Sequence, residues 1–366
     1  MNRTRRIWHF LFLLGIWGLP VGCLHAENAS ASLSNYTLGQ GYNLGDSGLR
    51  LGGYASVVTD SLRGQSWQLG VSDLSLFVMW EPSTRWRFFS ELELADALTI
   101  GGNGSALTTS DAYFDAERLY LDFNYSEPVK FRVGKFLTPI GRWNLIHADP
   151  LVWTTSRPIV TQGPFAFHAT GAMLFGNFEA WGRYWDYALY ASGPDELDFP
   201  PPNISLDRFY QDTVGFRLTH ELPGRLGFGL SYAHFRQTKE QPGDKNLFGL
   251  DFSWIHNRFE TSGEFVYRLG DRGPQPNEWG LYLQGVAPLT AHCYAIGRYE
   301  TYQQEGANSP VHRWVGGLAY RPLPPLVFKV EYSWGLHNPS EIPGRFTEGV
   351  TGGFPEGFAA SIAILF

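Results

Sequence analysis

Apolar and polar residues alternate along most of this chain in a series of short segments. In one segment, Phe328, Val330 and Tyr332 occupy every second position, and Lys329 and Glu331 lie between them. Because successive side chains of a β-strand point to opposite faces, a period of two predicts strands with one apolar and one polar face. The pattern therefore predicts an all-β fold.

About sixteen segments carry this pattern, and the connections between them alternate in length. Short turns, such as the one predicted at Gly176–Phe178, alternate with longer Gly-, Pro- and Asn-rich loops, of which 138–167 is the longest. Short turns at one end and long loops at the other are typical of antiparallel up-and-down β-barrels with an even number of strands. We therefore expect one barrel over 48–366, with strands near 49–59, 68–81, 85–97, 114–124, 128–137, 168–176, 180–192, 212–221, 225–236, 246–255, 258–269, 278–287, 291–303, 312–321, 326–336 and 356–366.

Composition distinguishes a membrane barrel from a soluble sheet, which would also alternate. Aromatic residues make up 16% of the chain, with 13 Trp, 18 Tyr and 27 Phe, and there are 42 Gly. No segment after the first 26 residues approaches the run of apolar residues that a membrane-spanning helix needs. Several aromatic residues adjoin predicted short turns or the C-terminus, where the interfacial girdle of a transmembrane β-barrel belongs: Trp80, Trp86, Phe123, Trp254, Phe259 and Phe366.

The N-terminal segment has the organisation of an export signal. A basic start is followed by the apolar run Ile7–Gly18 and by a plausible cleavage site at Leu24–Ala26. We expect a signal peptide at 1–26 and a short, flexible periplasmic leader at 27–47. Removal of the signal leaves Cys293 as the single cysteine of the mature chain, which rules out an intramolecular disulfide.

The charge balance argues against nucleic acid as a partner. The chain has 28 Lys+Arg and 35 Asp+Glu. Loss of Arg3, Arg5 and Arg6 with the signal leaves 25 basic and 35 acidic residues, a net charge of −10. A polyanionic partner would be repelled by this excess of carboxylates.

The C-terminal residues 358–366 resemble the closing strand of bacterial outer-membrane β-barrels. Phe358, Ile362 and Phe366 fall on one face, small residues such as Ala359 and Ser361 fall on the other, and the chain stops on the aromatic residue. The resemblance implies location in the bacterial cell outer membrane, in contact with its lipid and lipopolysaccharide. It also implies that the barrel-assembly machinery reads the strand that ends in Phe366.

Loop 138–167, called loop three below, is unusually apolar for an external loop. It contains Trp143, Ile146, Leu151 and Trp153, whose exposure to water would be unfavourable. We expect this loop to fold into the lumen and form a constriction. The alternatives are that loop three packs on the barrel rim or lies in a contact between subunits.

The strand that leads into loop three resembles a passage of the phosphate-selective porin family. The matching segment is Phe131–Gly141, with an arginine at Arg132, a Gly-x-Phe step at 134–136 and a Thr-Pro-x-Gly turn at 138–141. The resemblance implies a homotrimer. The lysine and arginine ladder of the phosphate-selective members has no counterpart here, so phosphate selectivity is not expected.

Charged residues on the predicted lumen faces and in loop three are the candidate site residues. Bases on one wall would face acids such as Glu264 and Glu331, and the resulting transverse field would orient polar solutes. We expect weak ion selectivity at most, because many of these charges can instead form neutral pairs within the wall. The predicted pore-lining and constriction residues are Arg87, Glu91, Arg118, Asp122, Lys130, Arg132, Arg142, His147, Asp149, Arg157, Arg217 and Lys329.

Catalytic and metal sites have little support in the sequence. His147, Asp149 and Ser156 are the residue types of a nucleophilic triad, but no Gly-x-Ser-x-Gly elbow surrounds the serine. The histidines show no His-x-x-x-His or paired-cysteine spacing. We expect neither an enzyme nor a bound metal or cofactor.

These observations predict a passive outer-membrane diffusion channel, a porin, for small hydrophilic solutes. A closed structural or adhesive outer-membrane barrel that displays its external loops to partners is the alternative. Both designs alternate in the same way, so the sequence leaves the choice open.

Overall fold

The computed structural model describes residues 35–63, 66–101, 107–109, 112–146, 148–193, 210–222, 224–238, 242–271, 277–307, 309–336 and 356–366. Two short strands, β1 (Tyr36–Thr37) and β2 (Gly41–Asn43), precede the barrel. The barrel strands are β3 (Leu49–Leu62), β4 (Gln68–Trp80), β5 (Trp86–Gly101), β6 (Tyr113–Ser126), β7 (Val129–Leu137), β8 (His168–Ala180), β9 (Arg183–Ser192), β10 (Tyr210–Leu222), β11 (Leu226–Gln237), β12 (Gly243–His256), β13 (Phe259–Gly270), β14 (Glu278–Pro288), β15 (Cys293–Gln303), β16 (Val311–Leu323), β17 (Leu326–Leu336) and β18 (Gly357–Leu365).

The sixteen strands β3–β18 form a closed antiparallel barrel. Each strand pairs with its neighbours in sequence, and β18 pairs with β3 to close the sheet. Phe366 and Gly53 complete this seam with two reciprocal backbone hydrogen bonds of 2.8 Å. Closure removes the free sheet edges that would otherwise pair with other chains. The predicted fold class, an all-β up-and-down barrel of about sixteen strands, is therefore confirmed.

Side chains alternate between an exposed outer row and a buried inner row. On β18, Phe358 and Ile362 are exposed, whereas Ala359, Ser361 and Ala363 are buried. The same alternation holds on β17 and β12, as the period of two predicted. The outer surface of the barrel is consequently apolar, and its inner surface carries most of the buried charge.

Short turns gather at one rim of the barrel, called the short-turn rim, and longer loops gather at the opposite rim. The turn predicted at Gly176–Phe178 is wrong, because Gly176 and Asn177 continue the ladder with β9. The chain reverses instead at Trp181 and Gly182, with φ values of 54° and 70°. Two successive left-handed residues suit a two-residue hairpin turn, and this conformation rather than the Gly-Asn pair decides where β8 ends.

The described part of the predicted leader lies at the short-turn rim. Strands β1 and β2 form a hairpin, and Tyr42 of β2 pairs with Leu51 of β3. Arg50 donates hydrogen bonds to Gln40 and Glu81, and Leu38 packs against apolar residues inside the barrel. The predicted signal peptide at 1–26 lies outside the described residues.

Loop three connects β7 to β8 over 138–167, the bounds predicted from the sequence. It contains a one-turn helix, α1 (Trp143–Ile146), and a 3₁₀ turn at Ile159–Thr161. Among the described residues, no helix is both long and apolar enough to cross a membrane.

Candidate functional site

The apolar residues of loop three are buried against the inner face of the barrel. Trp143, Val152, Ile159 and Val160 are each at most 4% exposed, and Trp143 meets the ring of Tyr282 on β14 at 6.2 Å. This burial removes from water the side chains that made an external position unfavourable. Loop three therefore lies within the barrel rather than on its outer surface.

Three glutamates of the inner wall accept hydrogen bonds from loop-three backbone amides. Glu264 on β13 accepts from Arg142 at 3.0 Å and from Trp143 at 2.5 Å. Two further glutamates do the same for later parts of the loop: Glu331 on β17 accepts from Thr155 and Ser156 at 2.9 and 3.0 Å, and Glu300 on β15 accepts from Ile159 at 2.7 Å. A buried backbone N–H group left without an acceptor is costly, so these three side chains fix the path of loop three.

Basic side chains of the same strands also bind loop three. Arg298 on β15 donates to the hydroxyls of Thr154 and Ser156, the latter at 2.6 Å. Lys329 on β17 donates to Asp149 at 2.5 Å. With the three glutamates, these contacts hold the loop against β13–β17. The transverse field expected from Glu264 and Glu331 is not found in that form, because both carboxylates face loop-three amides and not an open lumen.

Three inward arginines on β6, β7 and β10 lie in ion pairs. Arg118 and Glu91 pair on β6 and β5, and Arg132 on β7 donates to Asp122 at 2.8 Å. Arg217 on β10 makes a two-pronged contact with a carboxylate of β12, Asp251, at 2.6 and 2.9 Å. A planar guanidinium fork matches a carboxylate in this geometry and holds the side chain in place.

Aromatic rings lie beneath two of these arginines. Tyr120 stacks with Phe89 at 5.3 Å, and both rings are buried on the inner wall. Arg132 lies over Tyr120 at 3.8 Å, and Arg118 lies over Phe89 at 4.6 Å. Cation–π contacts of this kind add to the ion pairs in orienting the guanidinium groups.

A cavity of about 1000 Å³ separates loop three from the arginine-bearing wall. It reaches the short-turn rim, where residues of four turns line it: Gly224, Asn257, His292 and Pro324. The charged residues of its lining are Arg118, Arg132, Arg142, Arg217, Arg225, Arg258 and Arg321, and Asp186, Glu221, Asp251 and Glu260.

The cavity lining is net positive in a chain that is net negative. Seven arginines against four carboxylates give an excess of three, whereas the whole chain has a formal charge of −7. Glu91 and Asp122 lie behind Arg118 and Arg132 and reduce the excess felt inside the cavity. The acidic residues of the chain are therefore concentrated elsewhere than on the cavity surface.

The structure places the predicted site residues in four settings. Arg118, Arg132, Arg142 and Arg217 line the cavity. The remaining residues lie outside this lining. Glu91 and Asp122 pair with cavity arginines, whereas Arg87 and Lys130 pair with Glu81 and Glu127 near the short-turn rim. Asp149 and Arg157 lie in loop three, where Asp149 binds Lys329 and Arg157 binds Asn144. His147 lies outside the described residues.

Sequence reasoning missed several inward charges on the later strands. Arg298 and Glu300 on β15 and Arg313 on β16 are all at most 4% exposed, and Arg313 donates to Glu300 at 2.7 Å. Arg298 and Glu300 lie two positions apart on β15, and this alternation could have placed both on the inner face. Arg258 and Arg321, which also line the cavity, lie in or beside short turns, where the alternation does not assign a face.

Two of the three residues considered as a catalytic trio, Asp149 and Ser156, have structural partners, and His147 lies outside the described residues. The Ser156 hydroxyl accepts from Arg298, and Asp149 binds Lys329. Within the described ranges, no group of three or more His, Cys, Asp or Glu side chains could hold a metal ion.

No protein-family model matches the chain. A relative from Aquifex aeolicus (strain VF5), described as an uncharacterized protein, is 23% identical over 338 residues, which cover 78% of this chain and 75% of that protein.

Solved structures of similar fold are outer-membrane channels and related proteins. The anion-selective porin from Comamonas acidovorans is 15% identical with a TM-score of 0.60, covering 87% of this chain and 99% of that chain. The outer membrane channel DcaP of Acinetobacter baumannii is 11% identical with a TM-score of 0.57, covering 87% and 97%. The trimer form of OmpT, an outer membrane protein of Vibrio cholerae, is 11% identical with a TM-score of 0.57, covering 87% and 99%. The chain thus has a porin-like barrel fold.

Proposed function

We propose that this protein is a passive diffusion channel of the bacterial outer membrane for small hydrophilic solutes. The observation that carries the proposal is the cavity of about 1000 Å³ inside a closed sixteen-stranded barrel, bounded by charged side chains and loop three. A barrel of this strand number is wide enough to contain an aqueous path. Loop three forms the constriction, and solutes pass between it and the wall of Arg118, Arg132 and Arg217.

The outer surface of the barrel supports a position in the membrane. Large apolar side chains such as Leu74, Leu250 and Ile362 are exposed on it, and this arrangement suits contact with lipid. Trp80 and Trp86 are exposed beside a short turn, where an interfacial girdle would lie. In this orientation the short-turn rim faces the periplasm and the long-loop rim faces outward, toward lipopolysaccharide.

Assembly and oligomeric state form part of the same proposal. Phe366 is exposed at the end of the closing strand, where the barrel-assembly machinery would read it. One structure of similar fold is described as a trimer, and we propose a homotrimer here also. Kinship with the phosphate-selective porins rests on the segment Phe131–Gly141 and is proposed for the architecture only.

Conduction in this proposal needs no cofactor or energy source. Solutes move down their gradient through a lumen of mixed charge, in which Arg142 and Glu260 lie 3.6 Å apart at the surface of loop three. Charges of both signs favour polar solutes over apolar ones, and the excess of three arginines in the cavity lining gives at most a weak preference for anions.

A closed structural or adhesive barrel is the second candidate, and one observation favours it. Lys245, Arg268, Glu278 and Glu305 form a cluster of ion pairs inside the barrel in which no side chain is more than 3% exposed. Such a cluster fills part of the lumen with side chains. If the filling extended across the barrel, only the external loops would remain available to partners.

Single-channel recording from refolded mature protein in a planar bilayer tests the proposal. Discrete current steps under an ionic gradient are expected, and their size reports the width of the constriction. A folded, heat-modifiable barrel that gives no steps at any voltage would contradict the channel and favour the closed barrel.

A further inference from the structure

Two arginines at the short-turn end of the cavity differ from the other arginines that line it. Arg258 lies in the turn between β12 and β13, and Arg321 lies near the end of β16. Arg258 is 4.9 Å from the centre of the Tyr294 ring, and Arg321 is 4.7 Å from that of Trp153. Since the two rings are 4.8 Å apart, the four planar groups form one continuous cluster, called the mouth cluster.

Within the part of the chain that the structure describes, the mouth arginines donate to backbone carbonyls and not to carboxylates. Arg258 donates to the carbonyl oxygen of Ala291 at 2.7 Å. Arg321 donates to those of Pro150 and Val152 at 3.0 and 3.4 Å, and its buried Nε has no hydrogen-bond partner among the described residues. A guanidinium has five N–H donors, so both side chains keep donors that these contacts do not use.

Two carboxylates lie close enough to act on Arg321, Glu260 and Asp149, and both are engaged elsewhere. Glu260 accepts from the Trp153 indole at 2.9 Å and lies 3.6 Å from Arg142. Asp149 is balanced by Lys329, which donates to it at 2.5 Å. Arg142, Arg258 and Arg321 then face Glu260 alone, which leaves an excess of two positive charges at this end of the cavity. Arg118, Arg132 and Arg217 each have their own carboxylate, and Arg225 lies near Glu221. The unbalanced charge is therefore local to the mouth cluster.

Apolar surface adjoins the mouth arginines inside the same cavity. Leu151, Trp153 and Tyr294 line it beside the guanidinium groups. An inorganic anion would use the guanidinium donors but would leave this surface in contact with water. An organic anion with an apolar group would cover both.

We propose that the mouth cluster is a binding site for small organic anions in which a carboxylate is joined to an apolar or aromatic group. The carboxylate takes the remaining donors of Arg258 and Arg321, and the apolar group lies against Trp153 and Leu151. This inference rests on the proposed channel function, and it names a solute class and a site for it. Binding is expected to be weak and exchanging, because the site lies at a solvent-accessible mouth and Arg258 itself is exposed.

Benzoate block of single-channel current is the direct test. Four probes at equal concentration separate the contributions: benzoate, acetate, inorganic phosphate and uncharged benzyl alcohol. Benzoate is expected to reduce the current at concentrations several-fold below those needed for acetate or phosphate, and benzyl alcohol is expected to have no effect. Equal block by acetate and benzoate would refute the apolar half of the site.

Arg258→Gln removes one guanidinium from the mouth cluster with little risk to folding, since Arg258 lies exposed in a turn. The benzoate concentration for half block should rise roughly tenfold, the effect of losing a charge-assisted hydrogen bond. Arg236→Gln is the matched control, because it removes the same charge from an exposed position on β11 outside the cavity lining. An equal loss of block in both variants would refute a local site.

A second measurement separates failure of the site from failure of the channel. Calorimetric titration of benzoate into the refolded barrel should give a binding signal that Arg258→Gln weakens, whether or not the barrel conducts. Current steps without benzoate block or calorimetric binding would overturn the mouth site and leave the channel intact. Binding by a barrel that gives no current would support the site and overturn the channel.

Discussion

Replacing Glu331 by alanine removes the acceptors that hold the backbone amides of Thr155 and Ser156 at 2.9 and 3.0 Å. Glu331 is 3% exposed and both loop residues are buried, so these amides would lose their carboxylate acceptor within the barrel interior. A buried donor without an acceptor costs about 1–3 kcal/mol, which gives about 2–6 kcal/mol for the pair.

This loss of free energy predicts how much more often the segment opens locally. At about 1.4 kcal/mol per tenfold, 2–6 kcal/mol corresponds to opening of the Thr155–Ser156 segment roughly 30-fold to 10⁴-fold more often. Amide hydrogen exchange resolved along loop three, measured in the refolded barrel, should show this acceleration in Glu331→Ala. The amides of β9 and β10, which pair with each other in the barrel wall, should be unchanged.

Two further variants test whether the faster exchange comes from loss of the Glu331 carboxylate. Glu331→Gln keeps one carbonyl acceptor and should give an intermediate exchange rate. Glu179→Ala removes an exposed carboxylate from β8 and should leave loop three as in the wild type. Wild-type exchange rates at Thr155 and Ser156 in Glu331→Ala would refute the argument that the wall carboxylates hold the loop.

Three other substitutions test the rest of the site. Exchange of Arg132 and Arg142 together for glutamate should shift the reversal potential under a salt gradient toward cation preference, and an unchanged potential would remove both from the ion path. Deletion of 143–160 should raise single-channel conductance, because it removes most of loop three from the lumen; unaltered conductance would place the loop away from the path. Gly141→Ala, at φ 66° with its new methyl group against the Glu264 carboxylate, should lower the thermal unfolding midpoint in detergent, whereas an unchanged midpoint would mean that loop three can shift to accept it.

Alternation along the chain was sufficient to predict the strands and their faces. The period of two is a property of neighbouring residues, so β17 and β18 could be assigned an outer and an inner face without knowledge of their partners. The bounds of loop three followed for the same reason, because alternation stops after Leu137 and resumes at His168. The turn between β8 and β9 was misplaced, because the sequence contains a Gly-Asn pair inside the strand and the φ values at Trp181 and Gly182 are set by the hairpin.

The partners of the lumen charges depend on distant parts of the chain. Glu331 and Thr155 are 176 positions apart, and Lys329 and Asp149 are 180 apart. Alternation could place Glu331 on an inner face, but it could not reveal that loop three covers that face. For this reason the sequence suggested an acid facing an open channel, whereas the structure shows a docking residue for the loop.

The strand pattern, the acidic charge of the chain and the apolar nature of loop three are thus properties of the sequence alone. Closure of the barrel decided the rest: which arginines pair with carboxylates, where loop three leaves a cavity, and why Arg258 and Arg321 meet Tyr294 and Trp153 at its mouth. Faces follow from local backbone geometry, whereas charge pairing and open space follow from the register of sixteen strands and the path of a loop through their interior.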